Sequence, residues 1–151
     1  MPDTAPMDKR LLDRVAAERA QQMVAKAIKE QGVKAKAVDN LVTKALGVLQ
    51  ENGVYACFLF LFSRTNPDAR DVAEVVREQL LQLATADLPF AWDSLPTSRQ
   101  ARSQEVLPKV SRTICGDLDQ LLMTKDVFEQ TLIYARYTAK ARNQEEKQKG
   151  G

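Results

Sequence analysis

Three carboxylates at three-residue steps, Asp68, Asp71 and Glu74, and the pair Asp117-x-Asp119 come closest to a chemical site, because acids on adjacent helical turns can share a divalent cation. A second reading needs no ligand: acids in the first turns of a helix complement its dipole. The chain has no histidine, so the usual general base, the commonest zinc ligand and the partner of a serine or cysteine nucleophile are missing together. Its six glycines form neither a phosphate-cradling loop nor a nucleophile elbow. Cys57 and Cys115 stand in apolar helical patterns without Cys-x-x-Cys spacing, which predicts buried, reduced thiols and a cytoplasmic protein. These absences point away from an enzyme: no catalytic residue, metal, cofactor or small-molecule substrate is expected.

Basic residues are the remaining candidates. The net charge is only +2, but its distribution is uneven. From Asp8 to Lys36 eight Lys/Arg face four Asp/Glu, and from Arg136 to Lys149 five face two. Between Asn66 and Asp93 the sign reverses, with six acids opposed only by Arg70 and Arg77. Arg19, Gln22, Lys26 and Lys29 recur at helical steps and share a polar stripe, with Arg10 and Arg14 beside it, and Lys125, Glu129, Arg136 and Lys140 form another. Such stripes can follow a phosphate backbone, or they can be ordinary solvated helix faces. Only Tyr134 and Tyr137 stand among them as aromatics, suited to base stacking or to packing at the edge of a core.

The elements that must position these residues read as helices. The 151 residues are 44% hydrophobic and 28% charged, enough for one ordinary domain. The expected fold is all-α, a single compact bundle of about five to six helices over residues 8–143, with flexible ends at 1–7 and 144–151. Leu12, Val15, Ala16, Ala20, Met23, Val24 and Ala27 predict a first helix from Asp8 to Gln31. A second runs from Lys36 to the Asn52-Gly53 turn signal. The following run, VYACFLFLF, is apolar on nearly every side and predicts a central buried helix, with a buried strand as the competing reading. Asn66-Pro67-Asp68 is a strong helix start. Residues 87–98 hold two prolines and the only tryptophan, predicting a loop packed down by Phe90 and Trp92. A short helix over Ser98–Glu105, interrupted before Pro108, a helical period from Val110 to Leu122, and a last helix capped by Thr124 complete the expectation. The apolar run from Val54 to Phe62 is too short to cross a bilayer.

Three segments carry a family resemblance: RVAAERAQQMV in the first helix, LVTKALGVLQENGVYACFLFLFSR across the Asn52-Gly53 junction, and TKDVFEQTLIYARYTAKA in the last helix. In this order they resemble the small helical subunit of type III-B CRISPR effector complexes, the Cmr type. The chain departs from that pattern between Leu88 and Val110, which is polar and carries prolines. The resemblance implies a noncatalytic bundle that stacks with copies of itself into the minor filament, beside other Cmr-type subunits, the crRNA and the target RNA. It implies Arg14, Arg19, Lys26, Arg136, Lys140 and Arg142 as RNA-facing phosphate contacts. The acidic segment is then expected against a neighbouring basic subunit. The small subunit of the sister type III-A complex fits the same composition. A helical protein adaptor with no RNA role is the alternative from another class.

Overall fold

The computed structural model describes residues 9–89 and 95–150, so Phe90, Trp92 and the first eight residues lie outside the described part. Six α-helices follow in order: α1 (Lys9–Lys29), α2 (Ala35–Asn52), α3 (Val54–Phe62), α4 (Pro67–Gln82), α5 (Ser103–Thr113) and α6 (Leu118–Gly150). Helix accounts for 82% of the structure, and no strand occurs among the described residues, which settles the VYACFLFLF run as helix.

The hub of the bundle is α6, which packs most extensively against α1 and α2. With 33 residues it is about 50 Å long at 1.5 Å per residue. Its Phe128, Leu132, Ala135 and Ala139 are buried with Ala20, Met23 and Val24 of α1 and Val42, Ala45 and Leu49 of α2 in one core. Phe58 of α3 meets Phe128 edge-on, with ring centroids 5.8 Å apart at 80°.

The third helix is not the central one. Val54, Cys57, Phe58 and Leu61 are buried, but Tyr55 and Leu59 are exposed and Phe60 and Phe62 only half-buried. An all-apolar sequence is tolerated at the periphery because two guanidinium groups cover its rings. Arg64 stacks 3.9 Å from the Phe60 centroid, and Arg77 of α4 lies 4.3 Å from that of Phe62.

Helix ends follow local chemistry. Gly53 lies between α2 and α3 at φ 96°, ψ −174°, a region open essentially to glycine alone, so the chain turns there without interrupting the apolar pattern. The Asn66 carboxamide oxygen accepts the backbone N–H groups of Asp68 (3.1 Å) and Ala69 (3.3 Å), starting α4 as its sequence predicts. Beyond Gln82 the helix widens into a π turn over Leu83–Asp87, where Leu88 N–H reaches the Leu83 carbonyl at 3.2 Å.

The C-terminal half differs from its sequence reading: the expected helix over Ser98–Glu105 begins only at Ser103, and the period from Val110 to Leu122 is broken between Thr113 and Leu118. Pro108 lies inside α5 rather than beyond it; the carbonyl it cannot partner belongs to Gln104, an exposed residue open to solvent. Thr124 caps nothing: it is buried within α6, its hydroxyl donating to the Gln120 carbonyl at 2.7 Å. Asp117 does the capping, accepting Gln120 N–H at 3.0 Å. Gly116 makes that break possible, since a Cβ there would sit 2.3 Å from the Arg112 carbonyl oxygen. At the far end, the charged residues 144–149 continue α6 as exposed helix.

Candidate nucleic-acid interface

Helices α1 and α6 run side by side in the same direction. Asp13 accepts a hydrogen bond from the Tyr134 hydroxyl, one groove brings Leu12 and Asp13 to Val127 and Gln130, and the next brings Ala17 and Gln21 to Tyr137 and Thr138. That bond leaves the phenol harder to ionise, mainly because the hydroxyl must keep its proton to donate to the carboxylate. Tyr134 therefore ties two helices together. Tyr137 is the exposed member of the pair, 62% accessible, with the Arg136 guanidinium 5.8 Å from its ring centroid.

The six basic residues expected to face RNA do not form one stripe. Arg14 is exposed on α1 and pairs with Glu18 at 3.0 Å, one turn on. Arg19 lies on the side of α1 that meets α4 and is only 15% exposed. Its Nε donates to Asp87 at 2.6 Å and its Nη1 to the side-chain oxygens of Gln79 (3.1 Å) and Gln82 (2.9 Å). The π turn ends at the carboxylate this arginine holds. Lys26, two turns beyond Arg19, pairs with Glu30 at 3.4 Å.

On the other flank Lys140 reaches Asp39 of α2 at 3.2 Å, fastening α6 to α2. Arg136, one turn earlier on the same face, is half-buried, and its Nε has no hydrogen-bond partner among the described residues. Arg142 is half-buried and takes part in no ion pair among them. Arg14 is thus free to reach solvent from α1, Arg19 is used within the fold, and Arg136 and Lys140 share the α2 side of α6.

The acidic segment is likewise engaged internally. Glu78 accepts from Arg99 at 2.8 Å, and the same Arg99 Nη2 reaches Glu30, just past the end of α1, at 2.8 Å. Burial works against the charge on Arg99, but its bonds to Glu78 and Glu30 carry its pKa above the ordinary value. Arg99 in turn holds the Glu30 carboxyl below the usual range. Arg77 also donates to the Arg99 carbonyl at 3.3 Å, and burial lowers its pKa. Glu74 accepts from Gln31 at 3.3 Å. These contacts clasp the 95–102 connection against α1 and α4.

Most of the carboxylates singled out by spacing serve helix ends or such clasps: Asp68 lies in the first turn of α4, Glu74 accepts from Gln31, Asp117 caps α6 and Asp119 lies in its first turn. Among the described residues no group of three or more His, Cys, Asp or Glu is placed to hold a metal ion. Cys57 is a buried free thiol, pushed up to about 12 by burial, and Cys115 is free and half-buried. Among the described residues no helix is long and apolar enough to cross a membrane.

A basic cluster missed by periodicity lies elsewhere. Lys44 on the outer face of α2 and Arg64 after α3 line a cavity of about 380 Å³ at the start of α4, together with Asn40, Thr65, Asn66 and Asp68. Neither cation has an ion pair among the described residues. The spacing Asn40-x-x-x-Lys44 shows that those two share a helix face, but nothing in the sequence shows that this face meets Arg64. Compared with known protein families, with characterised proteins and with solved structures, the chain finds no match.

Proposed function

We propose that the chain is a noncatalytic small subunit of an RNA-guided effector of the type III-B (Cmr) class, forming the minor filament and supporting crRNA and target RNA binding in antiviral defence. The observation that carries this reading is convergence. The three segments that bear the resemblance are far apart in sequence, yet they fall on α1, the α2–α3 junction and α6, which pack on one another as the core of the bundle. The fourth helix completes the same core with Val72, Val76 and Leu80, outside the segments that carry the resemblance.

The charges fit a phosphate-contacting role of modest strength. Arg14–Glu18 and Lys26–Glu30 are exposed pairs one helical turn apart, of the kind that adds little to stability. A phosphate can displace such a carboxylate at little loss from Arg14 and Lys26, and Arg136 and Arg142 have no ion pair among the described residues to give up, so with Lys140, once it releases Asp39, they act as backbone contacts that give affinity without sequence choice. Arg19 supports them by holding α1 to α4.

The test is co-expression with Cmr-type guide RNA and backbone subunits, followed by mass determination of the purified assembly with and without this chain. Retention in several copies is the expected result. An assembly that forms completely without the chain and never retains it overturns the proposal. One observation favours a protein adaptor instead: Leu118 and Leu122, one turn apart at the start of α6, are 68% and 50% exposed. Binding to a protein partner that is insensitive to salt and needs no RNA would establish that second reading.

A further inference from the structure

We infer that the cavity between α2 and the start of α4 is a binding site for one nucleotide of single-stranded RNA, with Lys44 and Arg64 on its phosphate. The inference deepens the RNA-binding reading and rests on it only for the source of the nucleotide.

Arg64 is the better organised of the two cations. Its Nε donates to the Phe60 carbonyl at 3.0 Å, its Nη2 to the Ser63 hydroxyl at 3.0 Å, and its guanidinium stacks on the Phe60 ring. These contacts fix the plane of the fork and leave Nη1 without a partner among the described residues, so holding an anion orders little that is not already ordered. Lys44 adds a flexible point charge from one turn beyond Asn40. The pair is attractive to phosphate because no described carboxylate neutralises either member.

The rest of the lining argues for more than a bare phosphate. A volume of about 380 Å³ falls in the range of small-molecule pockets. Asn66 uses its carboxamide oxygen to cap α4, which leaves its NH2 group to donate, and the Asn40 amide and Thr65 hydroxyl have no partner among the described residues. Asp68 is the one carboxylate in the wall. It repels a free dianion but accepts from hydroxyls, and the group that places hydroxyl donors near a phosphate is a ribose. Two cations, one acceptor and two amides are the complement of a ribonucleotide.

The experiment is an NMR titration of the isotopically labelled full chain with inorganic phosphate, uridine 5′-monophosphate, a short oligouridine and its deoxy counterpart. Oligouridine is expected to shift the amides of Asn40, Lys44, Thr65 and Asn66, and the deoxy strand to bind more weakly. Lys44 is exposed and has no ion pair among the described residues, so Lys44→Gln should keep the thermal midpoint while weakening oligouridine binding roughly tenfold, the loss expected for one hydrogen bond to a charged group. Asp68→Asn should narrow the preference for RNA over DNA. Saturable binding of the mononucleotide in the cavity without binding of the strand would support the site and assign it to a free nucleotide. Oligouridine shifts confined to α1 and α6, with the cavity silent, would overturn the site and leave the RNA reading standing. Silence towards every ligand overturns the site as well, while the assembly experiment decides the broader reading.

Discussion

Arg19 and Asp87, separated by 68 positions in sequence, meet at 2.6 Å where α1 lies against the π turn that closes α4. The guanidinium also serves Gln79 and Gln82, so one side chain satisfies three acceptors on a neighbouring element. Charge-assisted bonds in a partly shielded site are worth more than exposed ion pairs, and removing their common donor leaves several polar groups without a partner.

The first prediction contrasts two arginines of α1. Arg19→Met keeps most of the aliphatic stem but strands Asp87, Gln79 and Gln82, and is expected to cost about 2 kcal/mol. Arg14→Ala breaks a pair whose members are 75% and 56% exposed and should cost less than about 0.5 kcal/mol. Urea denaturation of both variants checks the order. Equal costs would mean that Arg19 is held no more firmly than a surface residue.

Acid should loosen the clasp around Arg99. The Glu30 carboxyl is depressed below its ordinary 4.5 chiefly by its hydrogen bond to Arg99, and Glu105 below the same value chiefly by the Arg102 backbone N–H. A carboxyl whose pKa is lower folded than unfolded favours folding above its unfolded value, and that contribution is lost as pH falls through the folded one. The thermal midpoint should therefore fall as pH drops below 4.5, and Arg99→Gln should flatten that fall while moving the Glu30 titration back towards 4.5. An unchanged Glu30 titration curve in the variant counts against the clasp.

How much of this was legible depended on whether the deciding contacts were local. The start of α4 was plain because Asn66, Pro67 and Asp68 carry the cap, the rigid first position and the first-turn acid within three residues. The all-helical fold followed from period and propensity. Arg19 was different: its register placed it on a polar stripe, but whether that stripe meets solvent or another helix is settled by packing against residues far along the chain. The same holds for the acidic segment, where Glu78 and Asp87 are engaged by Arg99 and Arg19 within the fold. VYACFLFLF misled for a related reason, since Arg64 and Arg77 cover ring faces that the sequence alone assigns to a core. Thr124 looked like a cap because capping and mid-helix threonines differ only in where the preceding turn breaks, and Gly116-Asp117 breaks it earlier.

Thiol reactivity should separate the two cysteines. Cys57 is fully buried, its Sγ 3.8 Å from the Ala45 carbonyl oxygen and its pKa pushed up to about 12. Thiolate is the reactive form, so native Cys57 offers neither access nor charge. In a Cys115→Ser variant a disulfide reagent should label almost nothing at mildly alkaline pH until denaturant is added, and then one thiol. Fast labelling of that variant in its native state would contradict the burial of Cys57.

Two glycines six residues apart should respond in opposite directions. Gly47 lies inside α2, where an added Cβ meets nothing within 4 Å and helical backbone suits any residue. Gly47→Ala removes freedom from the unfolded chain and should stabilise the protein by about 0.5–1 kcal/mol. Gly53 also has open space around it, but its φ of 96° with ψ near −174° is closed to side chains of L residues. Gly53→Val must either hold that strained backbone, at about 1–3 kcal/mol, or tilt α3 away from Phe128 and lose the edge-on ring contact. Chemical denaturation of both variants, with near-ultraviolet dichroism to follow aromatic packing, checks the pair. A Gly53→Val protein as stable as its parent would show that the α2–α3 junction tolerates another geometry.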